Sequence, residues 1–185
     1  MRSERHEGFT LAELLVVVAI IGIFAAVAIP LLSSQDSKKL DAAAEEVGNA
    51  LRFAVNEARR TESYILVDAK MAPGRLRVVA SDIDGNDLGP VNDPLTKQAL
   101  DIDIGGGVFT GPVIMKPMFM QGGTDYKQLL IGPKCCTAGQ LQASDEAFVI
   151  GTLESGSGIV LSLGSLSGTV SIDETTGFVA IPAIP

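Results

Sequence analysis

An uncharged segment near the N terminus constrains this chain more than any other feature. From Leu14 to Leu32 no side chain carries a charge, and Glu13 stands immediately before the run. The run is close to the ~20 apolar residues that a helix needs to cross the hydrocarbon core of a bilayer. A carboxylate at bilayer depth costs roughly 2.5–3.5 kcal/mol on insertion scales and usually has a functional partner. Any interpretation of this segment must therefore account for Glu13.

Two common interpretations leave Glu13 unexplained. A secretory signal peptide would offer Ala26-Val27-Ala28 as a cleavage site, but its first region carries as many acidic as basic residues. An ordinary transmembrane anchor would use the length of the run and gives no reason for an acid at its edge.

A cut between Gly8 and Phe9 accounts for the acid. Such a cut exposes a new α-amino group on Phe9, with Glu13 in the first turn of the helix that follows. There the carboxylate faces the positive end of the helix macrodipole. It can also offset the amino group of its own chain or of a neighbour, and buried charges need such pairing. Such a cut would leave residues 1–8 as a cleaved leader and residues 9–32 as a transmembrane or filament-core half-helix.

The residues around this cut resemble a known signal. Gly8-Phe9-Thr10-Leu11-Ala12-Glu13, followed by a long apolar stretch, is similar to the class III signal of type IV pilins and type II secretion pseudopilins. The resemblance implies that prepilin peptidase cleaves after Gly8 and methylates Phe9, and that Glu13 aligns subunits during filament assembly. It implies as partners other pilin or pseudopilin subunits, an inner-membrane assembly platform and membrane lipid. The mature chain would be a single-pass inner-membrane protein with a periplasmic C-terminal domain, which then enters a filament.

Residues 33–62 predict a second, amphipathic half of the same helix. Pro30 should kink this helix, because the ring removes a backbone hydrogen bond and clashes with the preceding turn. Two separate helices with a turn at Pro30, Ser33 and Ser34 are the alternative. Gly48 is a mild weakness in helix propensity. Apolar residues recur at steps of three and four, which places them on one helix face: Leu40, Ala44, Val47, Leu51, Ala54 and Ala58.

After Ser63 the pattern changes to short apolar runs separated by turns rich in Gly, Pro and Asp. We predict that residues 63–185 form a periplasmic β domain of antiparallel strands in two sheets. The fold class is then α+β, with a long pilin-like helical spine packed on this domain. The C-terminal hairpin has its turn at Glu174 to Gly177. The predicted strands are Tyr64–Val67, Arg75–Val79, Val108–Phe109, Val113–Met115, Leu129–Ile131, Ala147–Ile150, Gly158–Leu163, Gly168–Ile172 and Phe178–Ile181.

The order of these elements resembles one group within the pilin-like proteins. The helix segment Leu51–Arg60, followed at once by a strand, is similar to the GspH/FimT group of minor pseudopilins and minor pilins. The turn at Asp82–Asn86 and the hairpin at Thr176–Val179 also resemble that group. The resemblance implies a non-catalytic subunit that acts in filament initiation or tip recognition.

Composition narrows the function classes. The net charge of −8 makes nucleic acid a poor partner, and from Cys135 to Pro185 there is no Lys or Arg. A ligand- or DNA-binding minor pilin, or a secreted β domain, remains the alternative. The single histidine, His6, lies in the predicted leader, and no nucleotide-binding or hydrolase motif occurs. We therefore predict that the protein is not an enzyme and holds no cofactor, with calcium as the one ion to consider.

Asp82, Asp84 and Asp87 form the candidate calcium site. Their carboxylates are close in sequence, and Gly85 allows a sharp bend between them. The spacing departs from that of an EF-hand, so an Asx-type turn is the alternative interpretation.

Cys135 and Cys136 are adjacent in the sequence. An oxidising periplasm favours disulfides. Adjacent Cα atoms lie ~3.8 Å apart, which is below the usual disulfide window. A vicinal disulfide, two buried thiols and a bond to another chain are all open interpretations.

Overall fold

One long helix leads into a β domain. The computed structural model describes residues 11–106, 113–134, 141–144 and 152–184, with the side chains of residues 25–34 and 141–144 outside that description. The chain divides into two compact units, Met1–Asp36 and Ser37–Pro185. The helix α1 is assigned without interruption over Leu11–Thr61. The alternative of two helices separated by a turn at Pro30, Ser33 and Ser34 is therefore wrong.

The second half of α1 buries the predicted apolar stripe. All six residues of the stripe, from Leu40 to Ala58, are fully buried. The helix ends where Glu62 adopts a left-handed conformation with φ of 50°, which no helix can continue through. Gly48 has a positive role that its low helix propensity conceals. It is buried, and a Cβ at this position would lie 2.6 Å from the side chain of Ile181, so a larger residue would require that side chain to shift.

Two antiparallel sheets follow the helix. The first has the strand order β3-β2-β1-β7-β8, with β4 also paired to β2, and the second has the order β11-β10-β9-β5-β6. The α+β fold with a two-sheet domain is confirmed. The strands are β1 (Tyr64–Asp68), β2 (Arg75–Ser81), β3 (Asp87–Pro90), β4 (Asp101–Asp103), β5 (Ile114–Gln121), β6 (Thr124–Tyr126), β7 (Gln128–Ile131), β8 (Leu141–Ser144), β9 (Gly158–Leu163), β10 (Leu166–Ile172) and β11 (Val179–Ala180).

One hydrophobic core joins the helix and both sheets. Leu51 of α1, Val67 of β1 and Phe119 of β5 belong to the same cluster and are all fully buried. The sheets therefore contribute their inner faces to a shared interior, as a layered domain requires.

The C-terminal hairpin is confirmed with its predicted turn. Ile172 of β10 lies opposite Val179 of β11. Asp173 organises the turn, because its carboxylate accepts hydrogen bonds from the backbone N–H and the hydroxyl of Thr176 at 2.6 and 2.7 Å. These hydrogen bonds hold the pKa of Asp173 below its usual value. Gly177 completes the turn at a φ of 66°, where glycine carries no steric penalty.

Several strands differ from the predictions. The strands β3, β4, β6 and β8 were not predicted; all four are short, and β3 and β4 are rich in Asp, Gly or Pro. Their pairing comes from neighbouring strands rather than from an apolar alternation of their own. The predicted strands at Val108–Phe109 and Ala147–Ile150 lie outside the described residues.

Candidate assembly site

The N-terminal part of α1 carries the candidate assembly site. The helix is described from Leu11, and Glu13 is the acidic residue of its first turn. This is the location in which a carboxylate interacts favourably with the helix macrodipole. Gly8 and Phe9, the predicted cleavage and methylation positions, lie outside the described residues.

The helix surface that follows Glu13 is apolar on every side. Described side chains over residues 11–24 are all exposed within the chain. A helix that is apolar all round belongs in a protein core or in lipid. Burying one Leu or Ile side chain stabilises a structure by about 1.5–3 kcal/mol. Burial of this segment against lipid or protein is therefore strongly favourable. Large exposed side chains in it are Leu11, Leu14, Leu15, Val16, Val17, Val18, Ile20, Ile21, Ile23 and Phe24.

Two further points about this helix concern the predicted kink at Pro30 and the predicted membrane span. Pro30 lies within α1, its side chain is outside the description, and the kink there stays a prediction. Among the residues that the structure describes, no helix is both long enough and apolar enough to cross a membrane.

A second feature lies at the end of α1, where the helix holds the C-terminal hairpin. Nη2 of Arg52 donates a hydrogen bond to the carbonyl oxygen of Val179 at 3.0 Å. Nη2 of Arg59 donates to the carbonyl oxygen of Thr176 at 3.2 Å. Phe178, between these two carbonyls, is exposed. The sequence does not indicate these two contacts, since nothing in the local pattern points to a partner more than a hundred residues away.

The candidate calcium residues do not come together as a metal site. Both carboxylate oxygens of Asp82 accept hydrogen bonds from Asn86, from its backbone N–H at 2.9 Å and its side-chain amide at 2.8 Å. The side-chain amide and then the backbone N–H hold the pKa of Asp82 below its usual value. The carboxylate of Asp87 accepts from the backbone N–H of Gly89 and pairs with Nη2 of Arg77 at 2.9 Å.

Within the described residues no group of three or more metal-ligating side chains is placed to hold a metal ion. The hydrogen bonds between Asp82 and Asn86 form the Asx-type turn that was the alternative interpretation, and the calcium site at Asp82, Asp84 and Asp87 stays a prediction of the sequence.

Cys135 and Cys136 lie outside the described residues. The vicinal disulfide, the two thiols and the bond to another chain all stay interpretations of the sequence.

Comparison with known proteins identifies the N-terminal segment. The prokaryotic N-terminal methylation motif matches residues 5–29, a range that contains Gly8, Phe9 and Glu13. No solved structure matches the chain. The motif supports a protein of pilin or pseudopilin type with a membrane-anchored N-terminal segment. It implies processing by prepilin peptidase and assembly with other pilins, and it is typical of structural rather than catalytic subunits.

Proposed function

We propose that this chain is a minor pilin or pseudopilin, a non-catalytic subunit of a type IV pilus or a type II secretion pseudopilus. The observation that carries the proposal is the methylation motif at residues 5–29, on a chain whose helix bears Glu13 in its first turn. The α+β architecture supports it, because a helix that continues from an exposed apolar segment into a β domain suits a subunit that anchors by one end and presents the other.

The assembly step follows from charge pairing. Prepilin peptidase cleaves after Gly8 and methylates the new amino group of Phe9. A methylated amine keeps its positive charge, so it still pairs with a carboxylate. The carboxylate of Glu13, on this subunit or on its neighbour, pairs with that amine inside the apolar filament core, where an unpaired charge is strongly unfavourable. Subunits are thereby brought into register along the helix.

The surroundings that bury the apolar part of the helix change during filament assembly. Before assembly, the lipid of the inner membrane surrounds residues 9–32 and the β domain stands in the periplasm. In the filament, the helices of neighbouring subunits replace the lipid. The transfer is between two apolar surroundings, so it has little hydrophobic cost, and the specific contacts of Glu13 and the amine select the register.

Assignment to the GspH/FimT group, with a role in filament initiation or at the tip, is part of the proposal. It is supported by the direct passage from α1 into β1 at Tyr64 and by the C-terminal hairpin that the two arginines of α1 hold.

The test separates processing from assembly in the native host. Gly8→Val should block cleavage, because a bulky side chain replaces the glycine before the cut, and N-terminal sequencing should then retain Met1. Glu13→Gln should leave cleavage after Gly8 and methylation of Phe9 intact, and should lower incorporation into filaments by roughly tenfold or more, since it removes one member of a buried ion pair.

Glu45→Gln is the matched control, because Glu45 is an exposed acid of the same helix outside the motif. It should leave both processing and incorporation unchanged. A mature N terminus near Ile29, or wild-type protein that retains Met1, would overturn the proposal. Incorporation of Glu13→Gln at the wild-type level would remove the alignment role.

A further inference from the structure

A cleft of about 620 Å³ lies between the end of α1 and the turn that follows β3. We define the amide cleft by the two side-chain amides that line it, Asn56 on the helix and Asn92 just before the turn. Both residues are exposed. The volume falls within the range of ~300–1,000 Å³ that is usual for small-ligand pockets. The proposed filament role uses neither amide, so the cleft calls for an explanation of its own.

One wall of the amide cleft is an exposed face of α1. Its lining residues are spaced by three or four positions, which places them on one side of the helix: Phe53, Asn56, Glu57 and Arg60. Glu57 and Arg60 already pair with each other, because Nε of Arg60 donates to Oε2 of Glu57 at 2.8 Å and Nη2 donates to Oε1. The wall therefore has a fixed ion pair beside the amide of Asn56.

The other wall is a turn held by its own hydrogen bonds. The N–H of Asp93 donates to the carbonyl oxygen of Gln98 at 2.8 Å, and the N–H of Lys97 donates to the carbonyl oxygen of Asp93 at 2.9 Å. The carboxylate of Asp93 also accepts from the N–H groups of Leu95 and Thr96, at 2.8 and 2.7 Å. The turn is therefore preformed, and binding a ligand against it requires little ordering of the chain.

The charges of the lining cancel. Glu57 and Asp93 are acidic, while Arg60 and Lys97 are basic. Both carboxylates already accept hydrogen bonds within the protein, from Arg60 and from the turn. Neither an anion nor a cation would therefore find a net opposite charge here, and an uncharged ligand fits the cleft best.

The described walls of the amide cleft offer no strand edge to an extended peptide. A peptide that adds to a sheet is held by main-chain hydrogen bonds along an unpaired edge. Here the backbone of one wall belongs to α1 and bonds within the helix, and in the other wall the N–H groups of Asp93 and Lys97 bond within the turn. Recognition in this cleft therefore depends on side chains.

Two amides and an aromatic ring define what those side chains can recognise. Among the described residues, the side-chain amides of Asn56 and Asn92 have no partner. Each amide carries an acceptor and a donor side by side, which matches the acetamido and hydroxyl groups of a sugar, since these also both accept and donate. Phe53 is half-buried against the core and lines the cleft. The face of its ring carries partial negative charge, on which the C–H groups of a sugar ring can pack.

We propose that the amide cleft binds a neutral oligosaccharide that carries acetamido groups, with Asn56 and Asn92 on its acetamido and hydroxyl groups and one sugar ring on Phe53. The proposal goes beyond the filament role and does not depend on it. The cleft lies wholly within the compact unit Ser37–Pro185, and its binding is measured on the unassembled chain.

The experiment uses the full chain in zwitterionic detergent micelles, whose head groups contain no sugar. The probe is chitotriose, the neutral trimer of N-acetylglucosamine, titrated and followed by saturation-transfer NMR. The chain should bind chitotriose. It should bind cellotriose, which has hydroxyls in place of the acetamido groups, roughly threefold more weakly, because hydrogen bonds to the acetamido groups are lost. Raising the salt concentration to about 1 M, where the Debye length is about 3 Å, should leave the affinity unchanged.

Variants locate the binding. Asn56→Ala and Asn92→Ala, combined in one chain, should weaken binding of chitotriose by roughly tenfold, as expected for the loss of two hydrogen-bonding groups. Phe53→Leu keeps an apolar side chain on the core and should weaken binding by roughly threefold through the loss of the ring. The matched control combines Asn49→Ala and Gln98→Ala, which remove one exposed amide from the same helix and one from the same turn, outside the lining. It should bind as the wild type does.

Four results would overturn the proposal: no binding of chitotriose, equal or tighter binding of cellotriose, unchanged affinity in the cleft double variant, or equal losses in the cleft and control double variants. A fall in affinity at high salt would also overturn it, in favour of a charged ligand. Displacement of chitotriose by a lower concentration of the neutral tripeptide acetyl-Ala-Gln-Ala-amide would overturn it in favour of a peptide. Circular dichroism of each variant checks that a loss of binding is not a loss of fold.

Discussion

The two halves of α1 use similar residues in opposite surroundings. Over residues 11–24, Leu, Val and Ile side chains are exposed, Leu15 to 64%. Over residues 40–58, the apolar side chains of the stripe are buried, Leu51 to 0%. Both halves form helix, so local propensity does not separate them.

The difference lies in how apolar residues are distributed around the helix. In the second half they occupy a stripe, and the chain covers that stripe with its own sheets. In the first half they occupy every face, and a single chain cannot cover all faces of its own helix. The comparison shows that the apolar side chains of the first half can be fully buried only by lipid or by other chains, whereas those of the second half are buried by the β-sheets of the same chain.

The same substitution in the two halves should give the largest contrast. Leu51→Ala leaves a cavity in the core and should lower the free energy of unfolding of the β domain by about 2–5 kcal/mol. Leu15→Ala removes an exposed side chain and should change it by less than about 0.5 kcal/mol. Urea unfolding of the full chain, followed by tyrosine fluorescence, measures this unit alone, because Tyr64 and Tyr126 are the chain's two tyrosines.

If Leu15→Ala destabilised the β domain as much as Leu51→Ala, the separation between the two halves would be wrong. Leu15→Ala should act elsewhere, by weakening retention of the chain in detergent or lipid, since it removes apolar surface.

Glycine-to-alanine substitutions provide a second comparison between the first half of α1 and the β domain, with a smaller expected change in the free energy of unfolding. A Cβ on Gly158 would lie 2.3 Å from the carbonyl oxygen of Val170, and backbone cannot move aside as a side chain can. Gly158→Ala should therefore lower the free energy of unfolding by about 1–3 kcal/mol or more. A Cβ on Gly22 has no neighbour within 4 Å, so Gly22→Ala should leave the β domain unchanged and raise local helix propensity by up to ~1 kcal/mol. Thermal unfolding of the two variants, measured side by side, provides the check.

Low pH should destabilise the β domain by removing its ion pairs. We expect this effect to be smaller than those of the leucine and glycine substitutions. Nε of Arg75 donates to the carboxylate of Asp101 at 2.7 Å, and this hydrogen bond holds the pKa of Asp101 below its ordinary value of 3.8. Because the folded-state pKa is lowered, the pair stabilises the fold above pH 3.8 and loses its contribution as the pH falls through the lowered pKa. Asp101→Asn should therefore destabilise the domain at pH 7, by less than about 1 kcal/mol for so exposed a pair, and should match the wild type well below pH 3.8.

Glu46 is a control, because its ionisation should change the free energy of unfolding in the direction opposite to that of Asp101. Burial raises the pKa of Glu46 above 4.5, so its ionisation opposes folding at neutral pH. Glu46→Gln should slightly stabilise the domain at pH 7 and have no effect below pH 4.5. Urea unfolding of Asp101→Asn and Glu46→Gln, at pH 7 and well below pH 3.8, measures both effects. If Asp101→Asn changed the free energy of unfolding equally at the two pH values, the assigned ion pair between Asp101 and Arg75 would be wrong.

Parts of this fold with a strong local pattern could be predicted. The apolar stripe of α1, the strands β1, β2 and β9, and the C-terminal hairpin all have an alternation, a helical period or a turn cluster of their own. The strands β3, β4 and β6 have none, and they form because a neighbouring strand offers its hydrogen-bonding edge. Of the candidate sites, the N-terminal motif could be identified because it is contiguous, whereas proximity in sequence did not show that the carboxylate of Asp82 accepts hydrogen bonds from Asn86 within its own turn.

By itself, the sequence determined the features that depend on neighbouring residues: an apolar helix with an acid at its start, a methylation motif, an amphipathic continuation and a series of short strands. Tertiary structure alone decided which distant residues meet. It placed Gly48 against Ile181, Arg52 and Arg59 on the carbonyls of the hairpin, and two distant asparagines in one cleft. The physical reason is that periodicity and turn chemistry act over a few residues, while the contacts between elements are selected by packing the whole core at once.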